Sequence, residues 1–383
     1  MLILVINCGS SSAKYDLFNV EKEVSLCRGI VERIGEGMAT LTYETDGSKN
    51  IHKKLKCPDH HRAIEIIKDR LLDPHDGAIS KVGEVTGIGH RVVHGGEEFN
   101  ESTLINAKVL KSIKKFSELA PLHNPPALEG IKSCLKIFGR VPQVAVFDTA
   151  FHQTMPDTAF HYGIPYKFYT QYDVRRYGFH GTSHRYVSAK AAEVLKKPLG
   201  KLNLITAHLG NGCSITAVRR GKSVDTSMGF TPLEGLLMGT RSGDLDPAVV
   251  TFLMAREGLS VDRMNAMLNK ESGLLGVSGV SNDMRDLLKA MRKGNKRARL
   301  AYDIFAYRIR KYIGAYAAVL GRVDAVVFTA GIGEHLPSLA NSMKKDLRPL
   351  LGRGTKFLIV STNEELLIAK DTYGVVKKVK SKE

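Results

Sequence analysis

Short apolar runs alternate with polar turns along the first part of the chain. The run LILVI, the turn NCGSSS and the run AKYDLF predict a β-hairpin. Further strands are predicted at SLCRGIVERI, MATLTYET, VTGIGHRVVHGG and VPQVAVFDTAF. Apolar residues at helical spacing predict helices at HHRAIEIIKDRLL, NAKVLKSIKKFSELA and ALEGIKSCLKIFG. The first part therefore combines hairpins with crossover helices.

The same plan then occurs a second time. The stretch LNLITAHLGNGCSITAVRRGKSVDTSMG again predicts strand, Gly-rich turn and further strands, and KRARLAYDIFAYRIRKYIGAYAAVLG predicts the longest helix. The strand VDAVVFTAG follows it. A repeated plan indicates two related halves of an α/β protein with mixed sheets. We place the boundary near Thr149 to Pro156, and we predict that the last stretch, EELLIAKDTYGVV, forms a helix that returns to the first half.

Composition narrows the class of protein. A chain of 383 residues with a hydrophobic fraction of 43% suits two globular domains. The net charge of +17 fits a basic soluble surface, attraction of small anions, or nucleic acid. The basic stretch from Arg292 to Arg299 reads as a solvated helix face, and no nucleic-acid motif is present, so nucleic acid is disfavoured.

The cysteines and the apolar runs predict a cytoplasmic protein that does not span a membrane. The cysteine count, 5, is odd and no CxxC occurs, which favours a reducing compartment. The opening apolar run is too short for a signal sequence, and no apolar run approaches the length of a membrane span.

Three glycine-containing turns are candidates for phosphate binding. The turn Asn7 to Ser12 lies between two strands and offers backbone N–H groups and hydroxyls. The turn His208 to Gly212 occupies the matching place in the second half, and Gly331 to Glu334 follows a buried-looking strand, where α/β proteins tend to bind ligands. An ordinary hairpin turn and a plain helix start are the alternatives. Two such turns in related halves could hold a nucleotide tail from both sides.

Two arginines and two carboxylates lie in segments of unusual composition. Arg91 precedes a Gly pair in GHRVVHGG, and Arg241 lies in GTRSGDLDP. A guanidinium donates parallel hydrogen bonds to carboxylate or phosphoryl oxygens, although an exposed surface arginine is the alternative. Asp148 follows an apolar strand, and Glu364 is the first Glu of the segment STNEELL. Each carboxylate is a candidate to bind Mg²⁺ or to orient the substrate. Helix capping is the alternative for both.

Three histidines stand out. His123 lies in PLHNPP, and His180 and His184 lie in YGFHGTSH. The spacing of His180 and His184 resembles a zinc pair, but the Glu of HExxH is missing and Gly181 weakens a helix, so zinc is disfavoured. His180 is instead a candidate donor to a developing phosphoryl charge.

Taken together, these segments closely resemble the acetate kinase family over nearly the whole chain. The shared motifs, in family order, are NCGSSSAKYDLF, GHRVVHGGEEF, APLHNPP, VAVFDTAFHQTMP, RRYGFHGTSHRYVS, HLGNGCSITAV, VDTSMGFTPLEGLLMGTRSGDLDP, FTAGIGE and TNEELLIA. The resemblance implies two duplicated ribonuclease H-like (actin-like ATPase) domains with a cleft between them. They are residues 1–150, to which a C-terminal helix 364–383 returns, and the nucleotide-binding residues 151–363.

The resemblance also implies the reaction. It is the reversible, Mg²⁺-dependent transfer of the γ-phosphoryl group of ATP to acetate, giving acetyl phosphate and ADP by direct in-line transfer. Mn²⁺ is an expected substitute for Mg²⁺, and a homodimer is expected. Alternatives are a propionate or butyrate kinase of the same family and a non-catalytic nucleotide-driven clamp of the same fold.

Site roles carry over by position. Residues implied around the transferring phosphoryl group are Asn7, Arg91, Asp148, His180 and Arg241. Residues implied to bind the carboxylate and wall its acyl pocket are Arg91, Val93, Leu122, Phe179 and Pro232. Residues implied at the nucleotide and its phosphates are Ser10, Ser12, Lys14, His208, Leu209, Gly210, Asn211, Gly212, Asp283, Met284, Arg285, Gly331, Ile332, Gly333 and Glu334. Asn7 and Glu364 are implied to hold the metal ion, with His123 supporting the site.

Val93 is expected to set acyl length. It follows Arg91 by two positions, so both side chains would point the same way in an extended strand. Two departures from the family pattern stand out: Ala127 replaces a common Asn, and the stretch between Glu334 and Thr362 is shorter than usual.

Overall fold

The computed structural model describes residues 1–45, 51–121 and 123–381. The chain divides into two compact units. The first unit is Met1–Ala150 with Asn363–Glu383, and the second unit is Phe151–Thr362. Among the described residues, none of the helices is both long enough and apolar enough to cross a bilayer.

The first unit is built on one mixed sheet. Its strands are β1 (Leu2–Cys8), β2 (Ser12–Asn19), β3 (Val24–Glu32), β4 (Ala39–Thr45), β5 (Ile51–Leu55), β6 (Val85–Val92), β7 (Thr103–Leu104) and β8 (Gln143–Phe147). Its first helices are α1 (His60–Leu71), α2 (Ala107–Lys115) and α3 (Asn124–Ile137). The strand order is β5-β4-β3-β2-β1-β6-β8-β7. Strands β1, β6 and β8 are parallel, and the hairpin predicted from β1 to β2 is confirmed.

The second unit has a smaller sheet surrounded by more helices. Its strands are β9 (Asn203–Leu209), β10 (Cys213–Arg219), β11 (Lys222–Thr226), β12 (Ala325–Thr329) and β13 (Lys356–Ile359). Its helices are α4 (Asp157–Phe160), α5 (Lys167–Tyr172), α6 (Gly181–Leu195), α7 (Pro247–Glu257), α8 (Val261–Ala266), α9 (Gly273–Ser278), α10 (Met284–Arg292), α11 (Lys296–Leu320), α12 (Ala330–His335) and α13 (Pro337–Leu351). The last helix of the chain, α14 (Glu364–Lys380), belongs to the first unit.

The two sheets share one plan. The order β3-β2-β1-β6-β8 in the first unit matches β11-β10-β9-β12-β13 in the second. In each of these orders the first two pairs of neighbouring strands are antiparallel and the last two pairs are parallel. The predicted α/β class and the predicted duplication are therefore confirmed. The shortened stretch after Glu334 forms α13 and the edge strand β13.

Glycines in β6 make room for the last helix. At Gly87 a β-carbon would come 3.1 Å from the Val376 side chain, and at Gly89 it would collide with Thr372 and Ile368 of α14. Ile368, Ala369 and Val376 of α14 are buried. The GxG pattern of this strand is thus explained by close packing of a helix on the sheet.

Some predicted bounds are wrong. Helix α3 begins at Asn124 rather than at Ala127, because Pro125 and Pro126 fit the first turn, where no N–H is needed. Strand β6 ends at Val92 instead of continuing through the glycines. The reason is a contact with α3: the His94 N–H donates to the Asn124 side chain at 3.1 Å, so the backbone has left the sheet.

A buried carboxylate in β2 makes the stability of the fold depend on pH. Asp16 is 9% exposed, and the Ser25 hydroxyl donates to its Oδ1 at 2.6 Å. Burial, helped by the negative charge of Glu365 and opposed by the hydrogen bond from Ser25, raises the pKa of Asp16 from 3.8 to about 7. The folded protein therefore binds this proton more tightly than the unfolded chain does, between about pH 4 and pH 7.

We expect Asp16→Asn to stabilise the protein at alkaline pH. The stability gained from the raised pKa is complete below pH 4 and is lost as the pH rises through about 7. At pH 8 the variant should gain up to about 4 kcal/mol in free energy of unfolding, since each pKa unit corresponds to about 1.4 kcal/mol. Thermal unfolding at pH 5 and pH 8 measures this. Asp303→Asn, at an exposed position, is the control, and an equal effect of Asp16→Asn at both pH values would contradict the prediction.

Candidate active site

One edge of the first unit's sheet collects polar side chains. Strands β1, β6 and β8 are parallel, so their carboxyl ends lie together. Asn7 lies at the end of β1, Arg91 at the end of β6, and Asp148 directly after β8. The order of the strands, which the sequence did not give, is what brings these residues to one edge.

Arg91 and Asp148 form a nearly bidentate ion pair. Arg91 Nη2 donates to Asp148 Oδ2 at 2.6 Å, and Nε lies 3.1 and 3.2 Å from the two carboxylate oxygens. The Asp148 side chain is 1% exposed and the Arg91 side chain 25%. The negative charge of Asp148 raises the pKa of Arg91 above its ordinary value, so the guanidinium stays charged. The pair fixes the fork of Arg91 while part of it remains accessible to a ligand.

Glu364 lies beside this pair. It is in the first turn of α14, and Asn363 caps the helix by accepting from the Leu366 N–H at 2.9 Å. Burial, opposed by the charge of Arg91 and helped by the negative charge of Asp148, raises the pKa of Glu364 to about 7. The carboxylates of Asp148 and Glu364 therefore lie in one poorly solvated region, and a divalent cation would neutralise their negative charge.

The turn from β1 to β2 is tight. The Gly9 N–H donates to the Ser12 carbonyl at 2.8 Å, and a β-carbon on Gly9 would lie 3.1 Å from the Ser12 hydroxyl. Ser10 and Lys14 are exposed, whereas Asn7 and Ser12 are half-buried. The turn thus offers small polar groups at the same sheet edge as Arg91.

The acyl-pocket residues of the first unit are only partly described. Val93 is 9% exposed and lies one residue beyond the end of β6. The prediction that its side chain points the same way as that of Arg91 assumed an extended strand, so this assumption is wrong. His123 occupies the N-cap position of α3 without capping it through its side chain. Leu122 lies outside the described residues.

The second unit holds a cavity at the matching edge of its own sheet. The cavity has a volume of about 480 Å³. It lies at the carboxyl ends of β9 and β12, because the turn after β9 and the start of α12 both line it. Its lining residues are Gly210, Asn211, Asn282, Asp283, Met284, Arg285, Leu288, Gly331, Ile332, His335 and Leu336. Most of the nucleotide-binding residues predicted for this unit therefore lie around one cavity.

The lining combines apolar faces with polar ends. Met284, Leu288, Ile332 and Leu336 supply apolar surface of the kind that a flat ring system packs against. At Gly331 a β-carbon would meet nothing within 4 Å, so the backbone there faces open space. The cavity suits a ligand with an apolar ring and a polar or charged tail.

Asp283 begins the helix on one side of this cavity. Its carboxylate accepts from the Arg285 N–H at 2.8 Å and from the Arg285 guanidinium at 2.6 Å. The hydrogen bonds from Arg285 lower the pKa of Asp283 to about 2. Both side chains are solvent-accessible, and Arg285 is 85% exposed, so the guanidinium is free to reorient toward an anion.

Not every predicted nucleotide-binding residue lines the cavity. Leu209 is fully buried and can offer only its backbone, and His208 is 8% exposed. The carboxylate of Glu334 accepts from the Ala330 N–H at 2.8 Å and the Thr362 N–H at 3.2 Å, so it holds the start of α12. Gly212 and Gly333 are likewise absent from the lining.

Sequence reasoning missed four lining residues, which are Asn282, Leu288, His335 and Leu336. Leu288 could have been found, because it lies one helical turn after Met284 on α10. The other three lie where helices begin or end, and their direction depends on backbone geometry that the sequence does not reveal.

His180 is held by a hydrogen-bonded group of side chains. It has a left-handed backbone, φ 56°, directly before α6. Its Nδ1 lies 2.9 Å from the Ser214 hydroxyl, which also lies 2.7 Å from His184 Nε2. The His180 ring stacks on His208 with centroids 4.1 Å apart. Burial lowers the pKa of His184 well below its ordinary value, so this ring is neutral. Because His180 precedes the helix, the two histidines do not form a helical metal pair.

Phe179 and Pro232 are placed close to these polar groups. Phe179 is 2% exposed, and its carbonyl oxygen lies 3.0 Å from His152 Nε2. The Pro232 carbonyl accepts from Arg241 Nη1 at 3.0 Å. A β-carbon on Gly212 would lie 3.4 Å from the His180 ring and 3.5 Å from Arg241 Nη1. His180, Gly212 and Arg241 therefore lie together.

Arg241 is a positive charge without a counter-ion. Throughout the described part of the chain, no carboxylate pairs with its guanidinium, which donates to a carbonyl and touches the Met238 sulfur at 4.0 Å. Burial lowers the pKa of Arg241, which means that the site would gain from an added negative charge. A partly buried, unneutralised guanidinium beside a cavity is an anion receptor.

Comparison with known proteins agrees with this geometry. Residues 2–352 match the acetokinase family. The chain belongs to the acetokinase family. It is 52% identical to the acetate kinase of Halothermothrix orenii, over 98% of this chain and 100% of that protein.

Solved structures of this family are similar in fold as well. The acetate kinase of Porphyromonas gingivalis is 43% identical with a TM-score of 0.93, covering 98% of this chain and 99% of that one. A propionate kinase from Francisella tularensis is also 43% identical, with a TM-score of 0.92 and the same coverage. Membership of the acetokinase family confirms the family predicted from the motifs, and with it a kinase that uses ATP and ADP.

Proposed function

We propose that this protein is an acetate kinase, which reversibly transfers the γ-phosphoryl group of ATP to acetate and forms acetyl phosphate and ADP. The observation that carries the proposal is the Arg241 guanidinium beside Gly212, the residue that follows Asn211 in the lining of the cavity, with no carboxylate paired to it among the described residues. A non-catalytic nucleotide clamp needs the cavity but has no use for an additional anion receptor. The named relatives with high identity support acetate as the acceptor.

Transfer by this site needs no protein nucleophile. A carboxylate oxygen attacks the γ-phosphorus in line, and the protein positions the reactants and neutralises charge. In our proposal Arg241 and Arg91 bind phosphoryl and carboxylate oxygens, while His180 and Asn7 donate hydrogen bonds. Asp148 orients Arg91 by the ion pair described above.

Mg²⁺ fits the donor set of the first unit. Asp148 and Glu364 are oxygen ligands close enough for the charge of Asp148 to raise the pKa of Glu364, and Asn7 adds a carbonyl oxygen at the same sheet edge. When bound, the ion would neutralise charge on the nucleotide phosphates. Asp148 and Glu364 would hold it, and Mn²⁺ is an expected substitute.

The proposed function is tested by trapping the acyl phosphate. Purified protein is incubated with ATP, Mg²⁺ and hydroxylamine, together with formate, acetate, propionate or butyrate in turn. We expect hydroxamate with acetate at the highest kcat/KM and with propionate more slowly. Hydroxamate from none of the four acids would overturn the proposal, and a preference for propionate or butyrate would replace acetate as the substrate.

We expect Val93→Ala to shift the acyl preference toward longer chains. The change removes two methyl groups from a stiff β-branched side chain. Room for one methylene corresponds to about 10–200-fold in discrimination, so the propionate-to-acetate ratio of kcat/KM should rise by about 10-fold or more. Val92→Ala is the matched control, since Val92 is the preceding residue and belongs to the apolar core. An unchanged ratio would remove Val93 from the acyl pocket.

We also propose that the protein is a homodimer through the face of α7. This helix has the mostly apolar sequence PAVVTFLMARE, yet none of its residues is buried. Phe252 is 63% exposed, Val249 43%, and Val261 at the start of α8 64%. An apolar patch of this kind on a single chain favours a second copy as its partner.

We expect Phe252→Glu to give a monomer, because two carboxylates would meet near the symmetry axis of an isologous contact. Sedimentation velocity measures the change. Val194→Glu, at another exposed apolar residue of the same unit, is the control and should leave the dimer intact. A parent that sediments as a monomer would refute the dimer, and a dimeric Phe252→Glu variant would place the contact elsewhere.

We place the protein in the cytoplasm. Its cysteines, which are Cys8, Cys27, Cys57, Cys134 and Cys213, are free buried thiols, as expected of a reducing compartment.

A further inference from the structure

The segment that carries Pro232 and Arg241 has no helix or strand of its own. It runs from the end of β11 at Thr226 to the start of α7 at Pro247. An arginine that neutralises a transition state must nevertheless be held within a fraction of an ångström. The position of Arg241 therefore has to be fixed by side chains and by neighbouring elements.

Asp244 closes this segment into a loop. Its Oδ1 accepts from the Gly235 N–H at 2.8 Å, and the Asp244 N–H donates to the Gly235 carbonyl at 2.9 Å. The two residues are thereby joined by two hydrogen bonds, one to the Asp244 side chain and one between backbones. Arg241 lies between them in sequence, three positions before Asp244.

Asp244 also ties the loop to the long helix α11. Its Oδ2 accepts from the Tyr312 hydroxyl at 2.8 Å and lies 3.6 Å from Arg308 Nη1. Arg308 Nη2 donates to the Asp244 carbonyl at 3.1 Å. Helix α11 packs its buried face, which includes Phe305 and Ile309, into the core of the unit. Asp244 thus fastens the loop to the rigid helix α11, while on either side of Arg241 the Thr240 carbonyl accepts from the Ser272 N–H at 3.0 Å and the Ser242 N–H donates to the Leu268 carbonyl at 3.1 Å.

The backbone has little conformational freedom where the loop closes. Gly235 and Gly243 have positive φ angles of 110° and 65°, and a β-carbon on Gly243 would collide with the carbonyls of Leu236 and Gly235. Within the loop, the Met238 N–H donates to the Arg241 carbonyl at 3.2 Å. Gly243 and Asp244 therefore constrain the backbone two and three residues after Arg241.

We propose that Asp244 is a positioning residue for Arg241 in phosphoryl transfer. It acts through the loop that it closes, and it is not itself a catalytic residue. The inference rests on the proposed role of Arg241 and extends it to a residue with no contact to the substrate. The Asp244 side chain is 31% exposed, so its ion pair with Arg308 adds little to global stability. Asp244 contributes instead through the loop geometry that its hydrogen bonds impose.

Asp244→Asn is the first test. The amide keeps one acceptor oxygen but loses the charge that holds Tyr312 and Arg308 together. We expect kcat to fall by about 10- to 100-fold, the effect of a displacement near 1 Å, with KM for acetate and for ATP within about threefold. Tyr312→Phe, which removes one hydrogen bond and no charge, should give a smaller loss of the same kind. It keeps the proposal testable if Asp244→Asn unfolds.

Asp246→Asn is the matched control. Asp246 carries the same charge two residues further along, caps α7 by accepting from the Ala248 N–H at 2.9 Å, and can be replaced by Asn without loss of the cap. We expect its kcat to match that of the parent. Unchanged kcat in folded Asp244→Asn and Tyr312→Phe would overturn the proposal.

A double-mutant cycle separates positioning from general damage. If Asp244 acts through Arg241, then adding Asp244→Asn to Arg241→Ala should change kcat by less than about twofold. A further loss as large as in the parent background would mean that Asp244 acts independently of Arg241. If Arg241→Ala alone leaves kcat unchanged, the proposed role of Arg241 fails first, and the failure belongs to the proposed function.

Discussion

Replacing Arg241 with alanine should lower kcat for acetyl phosphate formation by about 10³-fold or more, the lower end of what a transition-state arginine supplies. The guanidinium is a partly buried cation whose hydrogen-bonded partner is the Pro232 carbonyl, with no carboxylate to compete for it. In the proposed reaction its charge would be available to the equatorial oxygens of the transferring group, where charge develops. In the ground state the same contact is weaker, so KM should change less than kcat.

The measurement is the steady-state rate in both directions, with thermal unfolding of each variant. Arg297→Ala is a suitable control, because Arg297 also donates to backbone carbonyls, those of Gly276 and Val277, but its guanidinium lies against Gly279 and not against Gly212. Loss of less than about tenfold in folded Arg241→Ala, or about 1.4 kcal/mol in activation free energy, would show that the assigned role is wrong.

The second large effect is expected from Asp148→Asn. The change keeps the shape of the side chain but removes the charge that accepts from Arg91 Nε and Nη2. Arg91 loses its orientation, and the pair of carboxylates that would hold a divalent cation is reduced to Glu364 alone. We expect kcat to fall by about 10³-fold, as for loss of a preorganised electrostatic group, and the Mg²⁺ concentration for half-maximal rate to rise.

The control breaks a comparable ion pair elsewhere. Arg310 Nη2 lies 2.7 Å from Asp346 Oδ2 on the helices α11 and α13, and Asp346→Asn should leave both kinetic parameters unchanged. A folded Asp148→Asn enzyme with parental kcat and parental Mg²⁺ dependence would exclude Asp148 from the reaction.

The sequence predicted the repeated strand plan because apolar runs and Gly turns leave a local pattern. It predicted the β1–β2 hairpin from the turn that contains Gly9, and a helix at EELLIAKDTYGVV that returns to the first unit. It also indicated that Arg241 lies in an unusual loop. These features depend on residues that are close together in the chain.

Features that depend on long-range packing could not be predicted. The hydrogen bond from the His94 backbone to the Asn124 side chain ends β6 early, and no local sequence pattern predicts this bond. The ion pair of Arg91 with Asp148 joins residues 57 positions apart, and it exists because β6 and β8 are neighbours. Asp244 carried no signal of its own, since its partners on α11 lie more than sixty residues away.

The return of α14 to the first unit has a consequence for synthesis of the chain. Residues 1–150 leave the ribosome early, yet the helix that covers Gly87 and Gly89 of β6 is made only after the second unit. The second unit can finish folding while one face of the first sheet is still uncovered, although domains usually fold in order of emergence. A chain terminated before α14 lacks both that helix and Glu364. Only a chain extended through α14 contains both of the proposed metal-binding carboxylates, so truncated products would be incomplete and exposed to proteolysis.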